Sequence, residues 1–183
     1  MFTSATVGSL AATYCADPDH SSVGFAVRHM SVATFRGSFS DIEASVAIAD
    51  DGSLSLFGTA QVRSISIVSP PEFRNHVLGA DFLDAGRHPM MVFRSDPAPV
   101  GQDGSIAVKG QLTIRNVTRS VVATGTWSAP VEDPYGNMRA GVELTTTVDR
   151  RDYGMTWNAP LPKGGDVLGT RVTVTAHLEL VGE

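Results

Sequence analysis

The sequence predicts an all-β chain closed into an antiparallel barrel of eight strands. Three observations carry that expectation. Apolar residues recur at every second position along most of the chain, the period of a strand with one apolar and one wet face. Short turn signals separate the alternating runs, so neighbours pair as hairpins. Many runs exceed the usual length of about five or six residues, and an even set of long sequential hairpins favours an up-and-down barrel, which leaves no exposed sheet edge.

The first strand is expected at 22–30, where Val23, Phe25, Val27 and His29 share one parity; residues 12–16 extend it as a separate short strand. The second, at 36–49, carries Ile42, Ala44, Val46 and Ile48 on its apolar side. Asp50-Asp51-Gly52 turns the chain into 53–65, where Leu54, Leu56, Gly58, Ala60 and Val62 alternate with polar neighbours. Residues 70–84 break the period: Phe73, Val77 and Leu78 fall at helical spacing between Pro70-Pro71 and Gly79, which predicts a short helical insertion. Strands resume at 90–95, 105–115, 119–129, 138–149 and 169–181, with turns at Gly101 to Gly104, Arg115-Asn116 and Asp133 to Asn137. Neither repeats nor linkers divide the chain, so residues 1–183 are read as a single domain.

An eight-stranded barrel is filled by its own side chains or holds one small ligand. The inward row decides, and here it includes Ala44, Gly58, Ala60, Gly110, Ala123, Gly125 and Ala176. Small groups leave volume, and an empty apolar cavity forfeits dispersion contacts. An elongated apolar molecule is the expected occupant.

Composition excludes several alternatives. The net charge of -5 and the scatter of the arginines, with only Lys109 and Lys163 as lysines, argue against nucleic acid as a partner. Cys15 stands alone, so no disulfide can staple the chain; a buried strand cysteine is expected. Residues 1–16 carry no charge but lack a basic start and a continuous apolar core, so a cytoplasmic location is expected.

Several stretches together resemble the YceI-like, polyisoprenoid-binding proteins. They are Asp17 to Met30, Arg36-Gly37-Ser38-Phe39, Arg74 to Leu78, Asp81 to Asp84, His88-Pro89, Phe93-Arg94-Ser95, Gly110 to Thr118 and Arg150-Arg151-Asp152-Tyr153-Gly154. The likeness runs over roughly residues 12–181. Phe82-Leu83 stands where the family often has paired Phe, and Asn116 where it often has Gly. The resemblance implies a lipocalin-like barrel that binds long isoprenoid or other amphiphilic chains in a deep pore, with no catalytic residues. A bound isoprenoid lipid or quinone is then expected, with no cofactor besides it, along with transient contact with a membrane. Outer faces such as Phe57 leave room for a homodimer.

The candidate ligand-binding residues are Phe25, His29, Met30, Phe82, Phe93, Trp127, Met155 and Trp157. The aromatics either line a cavity or fill the core, and the methionines suit an adaptable pocket. His29 is either a hydrogen-bonded structural histidine or a donor to a ligand head group. His20, His29, His76, His88 and His177 lack zinc-site spacing, so no metal is expected. Asp17, Asp19 and His20 are read as an Asx-type turn around Pro18. Arg28, Arg74 and His76 are read as solvated or as facing a head group. No nucleophile elbow or phosphate loop is present. Transport or storage of an isoprenoid-like lipid, without enzyme activity, is the leading expectation. The alternatives are an isomerase or cyclase using His29 or His20, and a stress-linked binder of hydrophobic small molecules.

Overall fold

The computed structural model describes residues 10–183. The stretch 1–9, which holds most of the charge-free opening, lies outside the described residues. Ten strands form one antiparallel sheet: β1 (Leu10–Ala16), β2 (Ser22–His29), β3 (Ala33–Phe39), β4 (Ile42–Ala49), β5 (Leu54–Gln61), β6 (Met90–Ser95), β7 (Ser105–Ile114), β8 (Val117–Glu132), β9 (Met138–Asp149) and β10 (Leu168–Gly182). Among the described residues one α-helix, α1 (Pro71–Leu78), lies between β5 and β6, after a short 3-10 turn at Val62–Ser64.

The ten strands occupy eight positions around a closed ring. β1 and β2 are successive halves of one position, as are β3 and β4 of the next: Tyr14 pairs with Val46, and Val23 with Phe39. Hairpin partners then follow in order from β4 to β10. Closure comes from β10, which pairs with β2 from Leu168 to His177 and with β1 through Leu180, Val181 and Gly182. The expected eight-stranded barrel is therefore present. The run expected at 36–49 is interrupted at Ser40-Asp41, and residues 12–16 sit in their own strand.

Turn chemistry sets the hairpin registers. The β7–β8 connection is Arg115-Asn116, both left-handed at φ 53 and 58. This two-residue turn matches the right-handed twist of paired strands. Met30 and Ser31 do the same between β2 and β3, with φ 50 and 59, and Val32 N–H closes the turn on His29 C=O at 3.1 Å.

The inward rows pack differently at the two ends. Where the β4–β5 and β8–β9 turns lie, Val46, Leu54, Val108, Val142 and Leu180 are fully buried, each contributing about 1.5–3 kcal/mol of burial. Tyr14 meets Trp127 edge-on there, ring centroids 6.3 Å apart. This end is sealed by its own side chains. The opposite end carries the β2–β3 turn, α1 and the segment 150–167.

Two inward glycines do not leave space for a ligand. A Cβ on Gly125 would lie 1.8 Å from the Glu143 carbonyl oxygen, so glycine here permits close approach of β8 and β9. A Cβ on Gly110 would lie 2.7 Å from the Phe93 ring, which is seated on that strand. Gly58 differs: a Cβ there would meet nothing closer than 3.6 Å. Cys15, expected to be buried, points outward and is only half-buried, donating to the Glu183 carboxylate at 3.2 Å.

Gly125→Ala is expected to destabilise the barrel by about 3 kcal/mol, whereas Gly58→Ala should leave stability unchanged or raise it by about 0.5 kcal/mol. Urea midpoints of the two variants check this contrast.

Candidate functional site

Above the sealed end the barrel encloses an almost wholly apolar cavity of about 290 Å³. Its walls come from the inward rows. Ile42 and Ala44 of β4 and Leu56, Gly58 and Ala60 of β5 lie on one side; Ala123 of β8, Leu144 of β9 and Val174 and Ala176 of β10 lie on the other. Of the seven small inward residues expected to hold the interior open, Ala44, Gly58, Ala60, Ala123 and Ala176 border this space.

The helical insertion roofs the cavity. Phe73, Val77, Phe82 and Leu83 reach into it from above. Arg74 anchors the insertion: its guanidinium donates to Ile65 C=O at 3.0 Å, Ile67 C=O at 2.6 Å and Arg63 C=O at 2.7 Å. This arginine therefore caps backbone carbonyls and does not present its charge to the interior. His76 Nε2 donates to Asp81 Oδ2, 3.1 Å away. Its ring also stacks edge-on against Trp157 and Phe82, at 4.7 and 5.1 Å between centroids. The insertion and the segment before β10 thus meet over the mouth.

Four of the eight candidate ligand-contacting residues line the cavity: Phe25, Phe82, Phe93 and Met155. Four do not. Trp127 packs into the sealed end against Tyr14. Met30 occupies the left-handed turn and is 43% exposed; the turn geometry carries its side chain away from the interior. Trp157 lies over the mouth, against His76 and Phe82. His29 ends β2, opposite Ala33 and Leu168, and is absent from the cavity wall.

The sequence reading missed Phe35, Phe39, Ile65, Ile67 and, above all, Arg150, all of which border the cavity. Arg150 continues the inward parity of Val142, Leu144, Thr146 and Val148 beyond the end of β9. That parity was the available signal. The guanidinium is 3% exposed. Its Nε donates to Gly169 C=O at 2.9 Å, and Nη1 to the carbonyls of Met155 and Trp157. Nη2 reaches Leu168 C=O at 3.3 Å. Burial pulls its pKa below the ordinary arginine value, yet a guanidinium remains protonated at any physiological pH.

The histidines are dispersed. His177 is exposed, 3.9 Å from Glu143. The segment from Asp17 to His20 forms the expected turn: Asp19 N–H donates to Asp17 Oδ1 at 3.0 Å, and His20 Nδ1 lies 3.0 Å from Asp17 Oδ2. Asp17, His20 and Glu179 bring possible metal-ligand atoms within 4.8 Å of one another. Arg139 already supplies the cation there, contacting Asp17 Oδ2 at 2.9 Å, Asp133 Oδ2 at 2.9 Å and the Glu179 carboxylate.

Comparison with known proteins agrees with this architecture. The model of the YceI-like domain family matches residues 14–180. The chain belongs to the YceI-like family. A UPF0312 protein of Pseudomonas fluorescens is 32% identical over 157 residues, covering 79% of this chain and 77% of the relative. One from Vibrio cholerae is 30% identical over 138 residues, covering 74% and 72%. Among solved structures, Burkholderia cenocepacia BcnA superposes with a TM-score of 0.74 at 19% identity, covering 90% of this chain and 98% of that one. A polyisoprenoid binding domain from Saccharophagus degradans, implicated in plant cell wall breakdown, gives 0.60 at 14% identity, covering 96% and 100%. These two solved structures share the barrel fold.

The Arg139 cluster sets an acid-stability expectation. The Arg139 guanidinium and His20 hold the Asp17 carboxyl down at about 2, and the Asn137 amide and Arg139 hold Asp133 below the usual carboxylate range. An unfolded aspartate titrates near about 3.9. A depressed folded value stabilises the fold above that unfolded value, and the contribution is lost as pH falls toward 2. Arg139→Met should therefore flatten the fall in stability between about pH 4 and pH 2, as read from thermal midpoints across that window.

Proposed function

We propose that this chain binds an elongated, isoprenoid-like amphiphile, a polyprenyl chain or a quinone-type lipid, and carries or stores it with the tail inside the barrel. The observation that carries this reading is the apolar cavity inside the barrel, covered by the helical insertion and walled in part by small residues. Burial of a hydrocarbon tail in such a space gains about 0.8 kcal/mol per methylene. The polyisoprenoid binding domain from Saccharophagus degradans, which shares the barrel, supports the same ligand class.

The reading is of a binding protein and not an enzyme. Neither His20 nor His29, the two bases an isomerase or cyclase would have used, borders the cavity. Glu43 contributes to the wall but stands on the outward parity of β4 and is exposed. A general base must come within hydrogen-bond reach of the proton it abstracts, and among the described residues the wall presents no carboxylate or imidazole in that position.

Loading from a membrane is part of the proposal. Met30, Val32, Val68 and Phe73, on the turns and insertion, and Met90, at the start of β6, are exposed large apolar residues at the open end. Val32 is 81% exposed and Val68 74%. Such residues can enter a lipid surface while the cavity faces it.

Organic extraction of purified protein followed by mass spectrometry should yield a long-chain amphiphile, and delipidated protein should take up added polyprenol. No extracted lipid and no uptake would overturn the reading. Ala123→Phe, which places a ring in the cavity at an overpacking cost of about 1–3 kcal/mol, should weaken uptake by about tenfold or more while the barrel's circular dichroism is unchanged.

A further inference from the structure

The proposed cavity contains a charge that the apolar-tail reading does not use. Among the described residues Arg150 is the one cationic side chain on the wall, and it is 3% exposed. A guanidinium offers five N–H donors. Four have backbone acceptors: Gly169 for Nε, Met155 and Trp157 for Nη1, and Leu168 at 3.3 Å for Nη2. One N–H of Nη2 has no acceptor among the described residues.

Among the described residues no carboxylate contacts this guanidinium, and the acidic groups whose charge reaches it are Asp149 and Asp166. Asp149, the adjacent carboxylate, is taken by Arg151, whose Nη2 lies 2.6 Å and Nε 3.0 Å from it. Asp166, the other acidic group near Arg150, is exposed. Carbonyl dipoles solvate a cation but do not neutralise it. A buried cation without an anion is costly, and its most effective partner is a carboxylate or phosphate oxygen.

Arg150 lies at the open end, at the close of β9 and beneath the segment that leads to β10. A ligand whose tail fills the apolar depth would leave its head at this level. We propose that Arg150 is the head-group site of the cavity and selects amphiphiles with an anionic end, a carboxylate or phosphate, over those ending in a neutral carbonyl or an amine. This inference rests on the cavity holding an amphiphile and specifies which one. A guanidinium that only clamps four carbonyls would favour no head group.

The test uses the native protein and one chain length. Hexadecanoic acid, its methyl ester and hexadecylamine are compared at pH 8 for displacement of diphenylhexatriene, a neutral apolar dye, from delipidated protein. The acid should displace the dye at roughly tenfold lower concentration than the ester, with the amine weakest. Equal potency of all three would overturn the head-group role and leave the cavity reading standing. Failure of dye and ligands alike to bind would overturn the cavity reading, and this inference with it. Arg150→Met should bring the acid to the level of the ester without weakening the ester. Equal weakening of all three by that substitution would mark Arg150 as a clamp alone and overturn the proposal. The native series decides the question even if the variant does not fold.

Discussion

The circumference of a hydrogen-bonded ring is the constraint on which this structure depends. Eight strand positions, closed by β10 on both β1 and β2, fix the interior width whatever the side chains inside. The inward row cannot draw the wall closer by being small; it can only leave the space empty. Valine and leucine at the sealed end therefore make a core, while alanine and glycine one or two pairs further along make a cavity. The same backbone produces both, and side-chain volume alone separates them.

Polar groups at the open end obey a stricter accounting. Arg74 and Arg150 both spend their donors on backbone carbonyls that strand ends and irregular segments leave unpaired, as buried carbonyls require. The two differ in place. Arg74 stitches the insertion to the end of β5, away from the interior. Arg150 performs a similar stitch between the β9 terminus and the start of β10, but from within the cavity wall. A structural contact and a recognition contact can thus belong to one side chain.

Much of this was legible in the sequence, because period-two alternation survives wherever a strand has one dry face. The strands and the inward row from Leu54 to Ala60 follow from it. The insertion was legible from the loss of that period between Pro70 and Gly79. Alternation cannot report a bend, so the break at Ser40-Asp41 was hidden. Nor does parity distinguish a residue that frames empty space from one that admits a neighbour: Gly58 does the first, Gly110 and Gly125 the second. Met30 was misplaced because methionine is no marker of a left-handed turn. Arg150 lies one residue beyond the strand expected at 138–149, although the inward row runs on through it.

The sealed end has a consequence for how any cargo moves. With Val46, Val108, Val142 and Leu180 closing the floor, the interior is a cup with one door, and nothing can pass through it from side to side. Whatever enters must back out along the path it took, last atom in and first atom out. Direction of traffic then cannot be built into the barrel and has to be imposed by what the door faces at each stop.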